Sequence, residues 1–433
     1  MFSSQTAVLH RSCLNRTEYV SACRFFNNIK VEHKQIGYAL TQQTGINAAG
    51  KSVLVIQDTT TFNFDAQYLN EDDPELGQLG ANGGQGFFVH PSIVVEEKSG
   101  NLLGASDLYI WNRKKDSPGK YERQYQKQPI EEKESYRWIA ACERSKEVLN
   151  QASSILFISD RESDIYEEFA RVPDKKSEVL IRCKENRLLY DSKQKLYECV
   201  GSQSEAGSIS ILIREAKKRE QRQAQLSVRY CKVSIARPKN HTHKSSIPEY
   251  IELYAIEVKE KSKLPKGQKP VSWILLTTVA VTDIEIALKL IKNYALRWQI
   301  ELVFGTMKSK GLNLEDSELE DGRALKTLAA MAFITALRIN QLRLAREDSQ
   351  QNVRVVFDEE QVKLLYALTP RFEGNTRAQK NPYPKESLAW GVWTIARLGG
   401  WKGYAKNESP PGNKTMLEGW KTFNQISFGW ALN

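Results

Sequence analysis

Long apolar runs are missing from this chain of 433 residues: no window approaches the roughly 18 continuous apolar residues that a membrane-spanning helix needs. The opening residues, MFSSQTAVLHRSC, lack the long apolar core of a secretory signal, so a cytoplasmic protein is expected. Cysteine is sparse and scattered. Cys13, Cys23, Cys142, Cys183, Cys199 and Cys231 include no C-x-x-C pair and no His partner at zinc-finger spacing, so reduced, structural thiols are expected. Internal repeats and low-complexity tracts are absent too, which excludes repeat arrays and biased disordered segments. What is present is an ordinary soluble composition with an excess of positive charge. A formal charge of +10 and a pI near 9.1 point to an anionic partner, of which nucleic acid is the usual one.

Residues 1–50 read as mostly helical, with CRFFNNIKVEHK in the middle. The texture changes at KSVLVIQDTTTF, where the apolar run Val53 to Ile56 leads to Asp58, the pattern of a strand buried on both faces. GFFVHPSIVVEE and LLGASDLYIW continue as strands, and EKESYRWIAACERSKEVL has helical spacing. SSILFISDRESDIYEEF then repeats the first pattern, a buried strand ending in Asp160 with a helix just beyond it. VLIRCKENR, residues 179–187, is a further strand carrying Arg182, Lys184 and Arg187. From 188 to 278, the pieces SISILI, QLSVRYCKVSIA, YIELYAIEV and SWILLTT surround a polar stretch, Arg214 to Lys244, with ten Lys or Arg against two Glu. That stretch is either a solvated β-rich insertion or a DNA-facing surface. TDIEIALKLIKNYALRW begins a long helix with Thr282 or Asp283 as its cap, and ALKTLAAMAFITALRINQLRLARE is an apolar core helix. After a polar linker, SLAWGVWTIARLGGW and KTMLEGWKTFNQISFGWAL form a Trp-rich helical tail.

The long helix runs on into YALRWQIELVFGTMKSKGL, which spaces Tyr294, Arg297, Glu301 and Lys308 by three, four and seven residues. At about 100° per residue these side chains fall within a sector roughly 60° wide. The stripe is either a solvated face opposite a core face or a binding face. An apolar strand can likewise end in Asp simply as a turn or helix cap. Two such strands and a helix presenting one Glu nevertheless make a carboxylate set that only folding assembles. Hard divalent cations such as Mg²⁺ take a few carboxylate oxygens and keep several waters, and a pair of ions about 4 Å apart can activate an attacking oxygen and stabilise a leaving one at a phosphodiester. Arg297, Lys308 and Tyr294 carry donors suited to DNA phosphates beside such a set.

DTTTF at Asp58, DRESDIYEEF at Asp160 and Y-x2-R-x3-E-x6-K at residues 294–308 resemble the DDE triad and YREK signature of the bacterial cut-and-paste transposases of the IS-four family, Tn-five type. SWILLTT, SLAWGVWTIARLGGW and LEGWKTF are similar to segments of that family in the same order, so the resemblance runs from about residue 20 to the C-terminus. It implies an α/β fold with a ribonuclease H-like catalytic core interrupted by a β-rich insertion, plus helical N-terminal and C-terminal regions. The expected divisions are a shortened helical DNA-binding region at 1–50, the first part of the core at 51–187 and the insertion at 188–278. The second part of the core, with the Glu-bearing helix, is expected at 279–345, and a helical dimerisation region at 346–433.

By the same resemblance Asp58, Asp160 and Glu301 are catalytic and bind Mg²⁺ or Mn²⁺, two ions in all, while Tyr294, Arg297 and Lys308 grip transposon-end phosphates. Trp273, twenty-one residues before Tyr294, stands where the family has a Trp that stacks on a flipped base during hairpin formation; on its own it reads as a buried strand Trp. Arg182 and Lys184 fall where the family has basic residues near the second Asp, or they form an ion pair with Glu162 or Asp164. The implied activity is nicking at the transposon end, hairpin formation by the freed 3′-hydroxyl, hairpin opening, and strand transfer into target DNA. Double-stranded DNA is then the partner, a homodimer forms in the DNA complex, and the setting is the bacterial cytoplasm and nucleoid. Two features depart from the family pattern: Glu315, Asp316 and Glu318 make the segment after Lys308 acidic, and 57 residues precede Asp58. The second departure supports an alternative expectation, an N-terminally shortened DNA-binding and dimerising protein without transposition activity, acting as an inhibitor or domesticated copy. Trp390, Trp393, Trp401, Trp420 and Trp430 fit the tail either to dimerisation or to docking on the chain's own core.

Overall fold

A computed structural model describes residues 6–430 except 14, 66, 68, 71, 81–83, 114–127, 191, 193, 214–221, 240–246, 263, 265–269, 310, 347 and 404–408. Helices α1 (Leu9–Ser12), α2 (Arg16–Phe26) and α3 (His33–Ala48) lead into strands β1 (Ser52–Gln57), β2 (Thr60–Phe64), β3 (Gly77–Gln78), β4 (Gln85–Glu96) and β5 (Leu102–Trp111). Then come α4 (Tyr136–Val148), β6 (Ser154–Ser159), α5 (Tyr166–Arg171), β7 (Ser177–Arg182) and α6 (Leu196–Gly201). Strands β8 (Gly207–Ile213), β9 (Arg222–Ala236), β10 (Tyr250–Glu260) and β11 (Ser272–Thr277) precede helices α7 (Ile284–Ala295), α8 (Trp298–Met307), α9 (Gly322–Leu344), α10 (Glu359–Phe372), α11 (Leu388–Leu398) and α12 (Asn413–Trp430). The fold is mixed α/β. No described helix is long and apolar enough to cross a membrane.

The chain divides into two compact units, the first Met1–Ala49, Thr59–Ser117 and Trp298–Asn433, the second Gly50–Asp58 and Pro118–Arg297. In the second unit the strand order is β1-β6-β7-β11-β10-β9-β8. Its first three strands are parallel, as continuous apolar runs buried on both faces demand; Val53 to Ile56 and Phe157 and Ile158 are all within 1% of complete burial. β11 then runs antiparallel to β7, and the remaining pairs are antiparallel hairpin-like partners. In the first unit β2, β3 and β5 all pair with β4. There α9, capped by Asp321 on the Ala324 N–H, is buried along most of its length.

Three expectations need correction. The helix expected to run unbroken through Tyr294 and Lys308 is two helices. The N–H groups of Leu296 and Arg297 bond to the carbonyls of Asn293 and Tyr294, three residues back, so the last turn of α7 tightens and the next helix starts afresh at Trp298. Secondly, β7 stops at Arg182, which leaves Lys184 and Arg187 beyond the strand. Thirdly, the stretch read as a polar linker contains α10, opened by a reciprocal Asp358 and Gln361 capping box and burying Val362, Leu364, Leu365 and Leu368. The basic run from Arg214 to Lys244 is described only in part. Arg222, Arg229 and Lys232 pair with Glu260, Glu257 and Glu252 on β10, while 214–221 and 240–246 lie outside the described residues.

The tail docks on its own unit at Trp390, Trp393 and Trp420, all buried, with Trp420 and Phe423 against Phe357. Phe428 and Trp430 stay exposed at the end of α12.

Behind the ends of β1 and β6 lies a buried polar cluster. Gln57 donates to the Cys142 sulfur at 3.2 Å, and Ser163 Oγ donates to Glu168 Oε2 at 2.6 Å. Burial, with a smaller push from Asp164, raises the Glu168 carboxyl to about 8 from an ordinary 4.5, against the pull of the Ser163 hydrogen bond. The folded state therefore holds this proton more tightly than the unfolded chain, and its stabilising effect is lost as pH rises from about 4.5 to about 8. Glu168→Gln, which stays neutral, is expected to melt with a much weaker pH dependence across that window than the wild type. Parallel melting curves of the two proteins from pH 5 to pH 9 would sink the buried-acid assignment.

Candidate active site

Asp58 follows directly on β1 and Asp160 on β6. The parallel register pairs Ile56 with Ile158, so each Asp sits two residues beyond the last paired position and the two leave neighbouring strands abreast. Both are half-buried. Asp58 Oδ2 accepts from Arg297 Nη1 at 2.9 Å, in a pair whose side chains are 18% and 16% exposed. Asp160 Oδ1 accepts from the Glu162 N–H at 2.9 Å and so caps the 3₁₀ turn Arg161–Ser163. Capping thus engages one of its two carboxylate oxygens.

Tyr294, in the last turn of α7, is 4% exposed. Burial raises the pKa of its hydroxyl, the guanidinium groups of Arg297 and Arg182 lower it, and Asp160 raises it again, so all three groups lie within electrostatic reach of the phenol. Arg182, at the end of β7, is held below its ordinary pKa mainly by burial, with Tyr294 favouring its charge and Arg161 and Arg297 opposing it. Its Nη2 donates to the Ser272 carbonyl at 3.2 Å, beside Trp273. The Trp273 ring is half-buried and packs edge-on to Tyr294, with centroids 5.3 Å apart and planes at 64°. Asp58, Asp160, Arg182, Trp273, Tyr294 and Arg297 thereby gather at one end of the second unit.

The ion pairs considered for Arg182 and Lys184 go elsewhere: Glu162 takes Arg137 at 2.8 Å and Asp164 takes Arg187 at 2.5 Å. Lys184 is exposed, its Nζ 3.8 Å from Glu185. Sequence reasoning offered Asp164 only as an ion-pair alternative for Arg182 or Lys184 and gave Arg187 no role, although Asp164 stands four residues after Asp160 in the same motif.

Glu301 and Lys308 belong to the first unit. Glu301 is half-buried in the first turn of α8. Lys308 lies just past the last residue of α8, its Nζ over the Phe62 ring at 5.1 Å and 3.9 Å from Glu315. Gly311 closes this helix end; a Cβ there would meet the Thr306 carbonyl oxygen at 2.4 Å. The acidic segment after Lys308 is largely occupied by structural contacts, since Glu315 also accepts the Asn63 N–H at 2.9 Å and Glu318 pairs with His10 at 3.0 Å.

Among the described residues no three His, Cys, Asp or Glu side chains gather closely enough to hold a metal ion. The donor chemistry of the strand-end pair still fits a hard cation, because Mg²⁺ keeps several waters and is commonly bound through one or two carboxylates together with substrate phosphates.

Two carboxylates abreast are expected to depend on Arg297. A double-mutant cycle of Asp58→Asn and Arg297→Met, read by thermal unfolding at low salt, should give a coupling of about 1 kcal/mol. A coupling of zero would mean that the pair is incidental to the packing of these strand ends.

Residues 132–338 match a family model described as a transposase DDE domain. The match takes in Asp160 and Glu301 and begins downstream of Asp58. Over those residues the chain is similar to a transposase DDE domain. Among solved structures, a piggyBac transposase synaptic complex with hairpin DNA is similar at 7% identity with a TM-score of 0.35. The alignment covers 88% of this chain and 53% of the other, so the chain spans about half the length of that protein.

Proposed function

We propose that this chain is a cut-and-paste DNA transposase of the IS-four, Tn-five type with a ribonuclease H-like core. The observation that carries the reading is the pair Asp58 and Asp160, abreast on parallel strands and ringed by Arg297, Tyr294, Arg182 and Trp273 in one unit. The matched transposase DDE domain supports it. Asp58, Asp160 and Glu301, the carboxylates that resemble the family triad, would hold two divalent ions, Mg²⁺ or Mn²⁺. When bound, such ions activate the attacking oxygen and stabilise the leaving oxygen at phosphorus.

The protein's own side chains do the rest of the work. Arg297 presents a fork that suits either a carboxylate or a phosphate, so it can exchange Asp58 for the backbone of a DNA strand as the strand enters. Arg182 and Lys184 add positive charge for the DNA backbone, as does Lys308 by the family resemblance. Tyr294, neutral in its buried setting, orients the Trp273 ring. Each step, from nicking and hairpin formation through hairpin opening to strand transfer, is an in-line displacement at phosphorus, so one site serves all of them. Forming the hairpin bends one strand sharply, and a base extruded onto the half-exposed Trp273 offsets part of that distortion. The exposed Phe428 and Trp430 at the end of α12 are the part of the tail best placed to meet a second copy in a dimeric DNA complex.

Asp58→Ala, Asp160→Ala and Glu301→Ala are each expected to abolish Mg²⁺- or Mn²⁺-dependent cleavage of end DNA while leaving DNA binding largely intact. Cleavage by any of them at near wild-type rate removes that residue from the site. A wild-type chain that binds and pairs DNA ends but never cuts them would instead favour the non-transposing, inhibitory protein.

Trp273→Ala should slow hairpin formation more than first-strand nicking, by an amount equivalent to about 1–3 kcal/mol, the worth of one base–aromatic stack. Gel separation of nicked and hairpin products measures it. Equal slowing of both steps would assign Trp273 to packing against Tyr294 alone.

A further inference from the structure

The turn that carries Asp160 also carries Asp164, whose side chain is completely enclosed. Asp164 Oδ2 accepts the N–H groups of Lys184 at 2.7 Å and Glu185 at 3.0 Å. Oδ1 takes Arg187 Nη1 at 2.5 Å, and Arg187 Nη2 donates to the Asp164 carbonyl oxygen at 2.7 Å. A carboxylate this deep is tolerable only when charge-assisted bonds use its lone pairs, and here all the partners lie on one short segment just past β7.

That segment has left the sheet, so no strand ladder fixes its backbone. Asp164 fixes it from one side and α6 from the other. The Tyr197 hydroxyl donates to the Lys184 carbonyl at 3.0 Å, the Tyr197 N–H to Asn186 Oδ1 at 2.9 Å, and the Leu196 N–H to the Arg187 carbonyl at 2.9 Å. The Lys184 side chain nevertheless remains 61% exposed. The turn is itself braced at Asp160 by the Oδ1 cap and at Ser163 by its bond to Glu168. A pinned backbone beneath an exposed cation, met only by the equally exposed Glu185 at 3.8 Å, is a means of setting a point charge at a fixed offset from Asp160.

We propose that Asp164 is a positioning residue for DNA: it locks the Lys184–Arg187 segment to the Asp160 turn, so that Lys184 grips a phosphate at a set distance from the bond being cut. Asp164 itself touches no DNA. This inference rests on the reading of Lys184 as a phosphate contact.

The test uses the full chain as Asp164→Ala, Lys184→Ala and the double variant. Binding to linear duplex DNA is followed over a salt series, and amide hydrogen exchange is followed at Lys184 and Glu185. Lys184→Ala should flatten the salt dependence by a slope of about 1, the share of one phosphate contact. Asp164→Ala should flatten it about as much and speed exchange at both amides, with the double variant no flatter than either single one. A merely structural carboxylate would lower the melting temperature without moving the slope. If Asp164→Ala does not fold, Asp164→Asn carries the same test, because an amide keeps an acceptor for an N–H while giving up the charge that holds Arg187. Should Lys184→Ala leave the slope unchanged, the phosphate-contact reading falls and takes the inference with it. Should Lys184→Ala flatten the slope while the Asp164 variant does not, or should the two effects add or the exchange rates stay unaltered, the inference alone is overturned.

Discussion

Two carboxylates leaving neighbouring parallel strands side by side repel each other, and the Arg297 guanidinium on Asp58 makes that arrangement tolerable in this chain. For two charges one strand spacing apart, roughly 4.8 Å, at an effective dielectric of about 20, such repulsion is about 3 kcal/mol, comparable to the worth of the packing around a single core residue. Much else follows from accommodating it. The tight turn after α7 sets Arg297 against Asp58, the Arg161–Ser163 turn engages one oxygen of Asp160, and Tyr294 lies buried between the guanidinium groups. The same charges that relieve the carboxylates are the ones that would meet phosphate.

Behind the strand ends the polar side chains are buried and mostly uncharged. Gln57 and Ser159 precede the two aspartates and are fully buried, and Glu168 stays protonated at neutral pH. Asp164, enclosed on the Asp160 turn, is offset by Arg187, so little unpaired negative charge stands behind Asp58 and Asp160. A second ionised carboxylate directly behind them would have worked against both.

The parallel strands could be read from sequence because their runs of Val, Leu, Ile and Phe have no polar alternation, which only burial on both faces explains. Asp283 as the cap of α7 was one of two readable options, and it accepts the Ile286 N–H. The break at Leu296 and Arg297 could not be read, since neither Gly nor Pro marks it and the helical period continues through the bonds to residues three back. The end of β7 was equally silent: residue type does not record where a ladder stops, so Lys184 and Arg187 were read as strand. Helix α10 did have a signal, Asp358 three residues before Gln361, but the polar residues of its exposed face masked the apolar ones. Nothing in YEEF distinguishes the buried Glu168 from the acids around it. The clustering of Asp58, Asp160, Tyr294 and Arg297 was anticipated from motifs, whereas the enclosure of Asp164 is a tertiary fact that no spacing reveals.

The second unit takes its strand β1 from a nine-residue segment, Gly50–Asp58, that is separated in the chain from the rest of the unit at Pro118–Arg297. A polypeptide comprising only the longer segment would lack β1 and leave the outer edge of β6 unpaired. That edge is almost wholly apolar, Ile155 to Ile158, and carries no Pro, Lys or bulge of the kind that guards natural edge strands. Such a fragment is a template for self-association into extended sheets. Proteolysis or internal initiation that severed the first strand would thus yield an aggregating species, so the chain's integrity upstream of Pro118 governs its solubility as well as its chemistry.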